Sequence, residues 1–162
     1  MYHAQTPDDL PDLARITGLS GLEFMEHIRD GRLPAPPIAR LLNYAVDSVE
    51  PGCVTFRGTP GFDHLNPTGA VHGGWYGTLL DSCMACAVMT TVPKGSVYTT
   101  LEYKINLVRA IPPGTEILAT GRVDHAGRST GVARGEIRGA IDGRLYATGS
   151  TTCLIMVLDP PV

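Results

Sequence analysis

Apolar and polar residues alternate along this chain with two different periods, and the change of period marks the predicted elements. In Gly21–Asp30, Leu22, Phe24, Met25 and Ile28 recur at helical spacing behind Ser20, a residue suited to an N-cap, and Gly31 stops the helix. The run Pro34-Ala35-Pro36-Pro37 then forbids regular structure, and Ile38–Leu42 leads into the next segment. From about Tyr44 the period shortens to two. Ala45–Glu50 and Cys53–Gly58 read as strands joined by a Pro51-Gly52 turn. Gly73–Met89 is apolar nearly all round and reads as one long helix that must be covered on most sides. Four more strands follow, rich in Val, Ile, Thr or Tyr: Val97–Val108, Glu116–Val123, Gly131–Gly139 and Leu145–Val157. Pro93-Lys94-Gly95, Pro112-Pro113-Gly114, His125-Ala126-Gly127 and Asp142-Gly143 punctuate them, and the short gaps imply antiparallel neighbours.

One long helix among about six strands predicts an α+β fold, a curved antiparallel sheet wrapped around an apolar helix. Residues 1–40 are expected to form an extension that packs on a domain spanning 41–162. One sheet covers one side of the helix, so the remainder argues for a dimer.

Composition narrows the function. The 162 residues are 43% hydrophobic and 18% charged, with a formal net charge of −3, and the basic residues are scattered. That excludes a nucleic-acid footprint, which needs a basic face. No stretch reaches the ~18 apolar residues of a membrane span and the N-terminus has no export pattern, so a soluble cytoplasmic protein is expected. Cys83-Met84-Ala85-Cys86 is formally a C-x-x-C, but Cys53 and Cys153 have no Cys or His close by to complete a metal site. A redox pair would open a helix, not sit in its middle. The four cysteines therefore read as small apolar residues, and no metal or other cofactor is expected.

Candidate chemistry concentrates in Asn66-Pro67-Thr68-Gly69-Ala70-Val71-His72-Gly73-Gly74 and in Asp81. A glycine pair at a helix start leaves unpaired N–H groups that an oxyanion can approach. Asp81 lies about two turns further on in mostly apolar surroundings, with no basic residue within one turn. An unpaired buried carboxylate costs several kcal/mol, so this acid needs either a partner or a chemical role. The turn at Gly127-Arg128-Ser129-Thr130 offers an Arg, hydroxyls and N–H groups to an anion, or is a plain hairpin tip.

The set Asn66-Pro67, His72-Gly73-Gly74, Asp81, Tyr98-Thr99-Thr100-Leu101-Glu102-Tyr103-Lys104-Ile105-Asn106 and Gly127-Arg128-Ser129 resembles the PaaI-type acyl-CoA thioesterases of the hotdog-fold superfamily. The resemblance covers roughly residues 40 to 157, and Ser20–Pro37 is similar to an extension carried by one bacterial branch. It implies hydrolysis of a thioester to free acid and CoA. The Gly73 amide would hold the carbonyl oxygen, with Asn66 as a second polar anchor. Asp81 would act as general base or attack directly, and Thr100 would orient the water. His72 would sit near the departing sulfur, with a plain capping role as its rival. Gly74, Thr99, Arg128, Ser129 and Thr130 would contact the acyl-CoA, and Lys104, Arg109, Arg122 and Arg134 would add positive potential.

Trp75 and Tyr76 are bulkier than the pattern and are expected to reshape the acyl pocket. The resemblance also implies a homo-oligomer, dimer or dimer of dimers, in which Gly73 and Asp81 of one site come from different protomers. The alternative from another class is a non-catalytic acyl-CoA-binding hotdog protein. The hydratases of this fold carry an Asp-x-Asn-x-x-His run that Asp63-His64-Leu65-Asn66-Pro67-Thr68 does not match.

Overall fold

A computed structural model describes residues 2–158; Met1 and residues 159–162, the outer ends of the two expected segments, lie outside the described residues. Three short helices come first: α1 (Leu13–Thr17), α2 (Gly21–Arg29) and α3 (Pro37–Leu41). The strands β1 (Tyr44–Glu50) and β2 (Cys53–Gly58) follow, then the long helix α4 (Gly73–Met89). The chain continues with β3 (Ser96–Leu107), β4 (Ile117–Ala126), β5 (Thr130–Gly139) and β6 (Leu145–Val157). All six strands pair antiparallel in one sheet of order β1-β2-β4-β5-β6-β3, wrapped around α4.

The long helix has the expected bounds, and Ser20 caps α2 as expected. Ser20 Oγ accepts from the Glu23 amide while the Glu23 carboxylate accepts from the Ser20 amide, so two otherwise unpaired donors are satisfied at once. Two expectations need correction. The proline run does not exclude helix: Pro36 is the N-cap of α3 and Pro37 takes the first helical position, where a missing N–H costs nothing. The hairpin-length gap at Pro112-Pro113-Gly114 does not join neighbours either. The chain crosses from β3, at one edge next to β6, to β4 in the interior of the sheet, between β2 and β5.

A row of glycines sets how deeply the helix sinks. Gly121, Gly135 and Gly149 stand opposite one another on β4, β5 and β6. A Cβ on Gly121 would lie 2.1 Å from the Cys83 carbonyl oxygen, one on Gly135 2.7 Å from Met84 Cγ, and one on Gly149 3.1 Å from Met84 Cε. The missing side chains form a trench for the Cys83–Met84 turn, with Leu79, Leu80, Cys83, Met84 and Val88 fully enclosed. The extension docks at the far end of this helix. The Gly21 amide donates to the Val92 carbonyl at 2.9 Å, and a Cβ at Gly21 would collide with the Met89 carbonyl.

Candidate functional site

The loop before α4 is built to present the helix start. Asn66 Oδ1 accepts from the Thr68 amide (2.9 Å), the Thr68 hydroxyl (2.7 Å) and the Ala70 amide (3.2 Å), so its carboxamide oxygen is committed to the turn and its NH₂ is the group left to donate outward. His64 pins the same loop. Its Nδ1 accepts from the Gly61 amide at 2.8 Å, which puts the proton on Nε2, 2.9 Å from the Leu41 carbonyl.

His72 is the N-cap of α4, and its Nδ1 accepts from the Gly74 amide at 2.9 Å. The capping role therefore holds, with the ring exposed and Nε2 carrying the proton of the neutral form. The same bond consumes the Gly74 amide, which is thus not available to a ligand. Gly73 is different: its N–H has no acceptor among the described residues and lies at the positive end of a 17-residue helix.

Asp81 is half-buried, and its Oδ1 accepts from the Thr100 hydroxyl at 3.0 Å. The structure thus brings together a carboxylate on α4 and a hydroxyl on β3. The strand is bulged just beyond, between Thr100 and Glu102, which leaves Leu101 unpaired and bends β3 beside this contact. Gly73 and Asp81 of one chain are not brought together, since eight residues of helix separate them by about 12 Å.

Thr99 points to the opposite face of β3 from Thr100. It stands across Leu154 from Thr130, so Thr99 and Thr130 share one row on the outer face of the sheet. Arg128 and Ser129 sit at the exposed β4–β5 tip, where the Ser129 carbonyl accepts from the Ile155 amide at 2.9 Å. Arg122 and Arg134 face each other in register, and Arg134 is paired with Asp124 at 2.8 Å, which diminishes the expected positive groove.

Trp75 and Tyr76 pack into the core. Both are buried: Trp75 Nε1 donates to the Leu42 carbonyl at 2.9 Å, and the Tyr76 hydroxyl accepts from the Ile111 amide at 2.8 Å. These are anchors that tie α4 to the loops around it. Neither lines the apolar cavity of about 390 Å³ that the structure does contain. This cavity lies where the extension meets the domain, walled by Phe24, Met25 and Ile28 of α2 and floored by Ser82, Cys86 and Met89 of α4. No periodicity announced it, because its two walls come from segments distant in sequence.

Burial pushes the Cys86 thiol up to about 12 and raises Cys83 and Cys153 as well. These thiols stay protonated near neutral pH and are poor nucleophiles. All four cysteines are unpaired, and the described residues contain no cluster of three or more metal-binding side chains. No helix among the described residues is long and apolar enough to cross a membrane.

One long helix held in an antiparallel sheet of this strand order is the hotdog fold. The family profile of the thioesterase superfamily matches residues 68–146. The chain is 29% identical over 89 residues to mouse acyl-coenzyme A thioesterase 13, an alignment covering 55% of this chain and 63% of that one. It spans less than two thirds of the length of the curated relatives it matches. Among solved structures it is similar to a mutant of the phenylacetic acid degradation protein PaaI from Thermus thermophilus, at 27% identity and a TM-score of 0.67, covering 73% of this chain and 97% of that one. It is also similar to a hypothetical thioesterase protein of Streptococcus pneumoniae solved with coenzyme A, at 25% identity and a TM-score of 0.66, covering 76% and 93%.

Proposed function

We propose that this protein is an acyl-CoA thioesterase, hydrolysing a thioester to the free acid and CoA. The observation that carries this reading is the Thr100–Asp81 hydrogen bond on the helix whose first amide, Gly73, has no acceptor among the described residues. Thr100 fixes one carboxylate oxygen. The other, Oδ2, accepts no bond among the described residues and is free to take a proton from water or to attack the carbonyl carbon itself. The Gly73 N–H, backed by the helix dipole, receives the charge that develops on the carbonyl oxygen, and the Asn66 NH₂ assists. His72 Nε2–H donates toward the departing thiolate. Thr99, Ser129, Thr130 and Arg128 provide the outer-face contacts to CoA. Coenzyme A in the streptococcal relative supports that assignment of ligand.

The active form is a homodimer or a dimer of dimers, because the 12 Å between Gly73 and Asp81 in one chain is too long for both to act on one carbonyl. The edge strand β3, on which Leu101, Tyr103 and Leu107 are exposed, supports such an assembly. Four free cysteines suit a reducing compartment such as the cytoplasm. The test is thiol release from a panel of acyl-CoAs by the purified protein. Hydrolysis abolished in Asp81→Asn and Asp81→Ala supports the assignment. Activity that survives both removes Asp81 from the mechanism, and binding without turnover on any thioester makes the protein a non-catalytic acyl-CoA binder.

A further inference from the structure

The cavity between the extension and the domain adjoins the candidate carboxylate. Ser82 follows Asp81 on α4, and Tyr98, which also lines the cavity, lies on the same face of β3 as Thr100, about 7 Å along the strand. Burial raises the Tyr44, Cys86 and Tyr98 side chains, and the nearby Asp81 charge raises them further. The few polar groups in the cavity lie in pairs. The Tyr44 hydroxyl and Ser82 Oγ are 3.0 Å apart, and the Tyr98 hydroxyl lies against the Cys86 sulfur. The lining is almost wholly apolar and carries no charged side chain, so an acyl group bearing a carboxylate would be buried without a charged partner at a cost of several kcal/mol, and a hydroxyl would lose most of its hydration.

We propose that this cavity holds the acyl group of the thioester and that the N-terminal extension, residues 10–39, makes the protein selective for unfunctionalised acyl groups of medium length. The assignment rests on the thioesterase reading above. Phe24, Met25, Ile28 and Ala39, which close one side, all precede the segment that matches the superfamily. Selectivity therefore resides in a part of the chain outside that match. A dry cavity of about 150 Å³ takes a benzene ring, so the 390 Å³ here takes a chain on the order of ten carbons.

Two measurements test this. The first is kcat/KM for acetyl-, decanoyl- and 3-hydroxydecanoyl-CoA; the second is calorimetric binding of decanoate to the protein, which needs no turnover. Ala39→Phe fills the cavity and Phe24→Ala, at a half-buried position, enlarges it, with folding checked by thermal melting. Decanoyl-CoA is expected to be preferred over both other substrates. Ala39→Phe should lower the decanoyl-to-acetyl ratio and weaken decanoate binding, each by about tenfold or more, while Phe24→Ala moves the optimum to longer chains. Asp81-dependent hydrolysis whose acyl preference and decanoate affinity ignore both substitutions overturns the cavity assignment and leaves the thioesterase reading intact. Decanoate binding that Ala39→Phe abolishes, in a protein that hydrolyses no thioester, supports the cavity assignment and overturns the catalytic reading. If Ala39→Phe fails to fold, an unchanged chain-length optimum in Phe24→Ala is sufficient to overturn the assignment.

Discussion

Thr100 Oγ1 donates to Asp81 Oδ1 at 3.0 Å, joining β3 to α4 across 19 residues of sequence. The bond holds the carboxylate in one orientation, with Oδ2 accepting no bond among the described residues. Asp81→Asn preserves the shape and removes the basicity, so kcat should fall by roughly 10²–10⁴. Thr100→Ala removes a hydrogen bond to a charged group and should cost about tenfold to a hundredfold, with Thr100→Ser restoring most of it. Steady-state kinetics on one thioester decide the matter. A Thr100→Ala enzyme with unchanged kcat would show that the bond is only structural.

Gly73 permits an unusually clean removal of a backbone donor. His72 has φ −64° and ψ 138°, the extended conformation that a following proline requires, and Gly73 is the first helical residue, where proline is favoured. Gly73→Pro should therefore keep the helix and the melting temperature while deleting the N–H, with a loss of about 10²–10³ in kcat. Gly73→Ala is the control: its Cβ would meet only Leu107 Cδ1 at 3.4 Å, an ordinary contact, and the amide survives. Equal activity in the two variants would remove the Gly73 amide from the site.

The glycine trench predicts a gradient of damage. A Cβ at Gly121 meets a backbone carbonyl at 2.1 Å, whereas one at Gly135 meets the flexible Met84 side chain at 2.7 Å. Chemical denaturation should show Gly135→Ala losing about 1–3 kcal/mol and Gly121→Ala losing more, because backbone cannot step aside. The opposite ranking would mean that α4 is not held by its fit to these strands.

That trench shows where the sequence stops being readable. The helix Gly73–Met89 is legible because an apolar run follows two glycines, and the β1–β2 hairpin because Pro51-Gly52 divides alternating segments. The glycines of the trench lie 14 residues apart on different strands and only register aligns them, so no local pattern distinguishes them. The crossing from β3 to β4 is hidden for the same reason: a short gap specifies a turn, not which strand will be the neighbour. In the site, Asp81 stands out locally as an acid in an apolar helix. Thr100 comes from family resemblance, since periodicity alone cannot say which strand reaches the helix. Thr99, the next residue, faces the opposite way and stands in the row of Thr130, which only the register of three strands reveals.

The buried thiols set an alkaline limit on stability. Burial raises Cys83 well above its ordinary range, Cys86 to about 12, and Cys153 as well. Above the ordinary thiol range, near 9, the unfolded chain releases protons that the folded chain retains, so unfolding becomes easier as pH rises. The stabilisation is complete below about pH 9 and is lost towards 12, at up to about 1.4 kcal/mol per pH unit for a fully buried thiol. Melting temperatures measured from pH 8 to 11 should fall, and less steeply in Cys86→Ala. An identical slope in that variant would show that Cys86 is not protected by burial.

A site divided between protomers makes a prediction that no monomeric site can meet. In a dimer that joins Gly73 of one chain to Asp81 of the other, Gly73→Pro and Asp81→Ala each disable both sites. Co-refolding equal amounts of the two inactive variants produces heterodimers in which one site carries both lesions and the other carries neither. With random pairing half of the dimers are mixed and half of their sites are intact, so activity should return to about a quarter of the wild-type value. Sedimentation of the mixture checks that dimers have formed. Dimers without any recovery would place Gly73 and Asp81 in the service of one chain, and the edge strand β3 would then need a different partner.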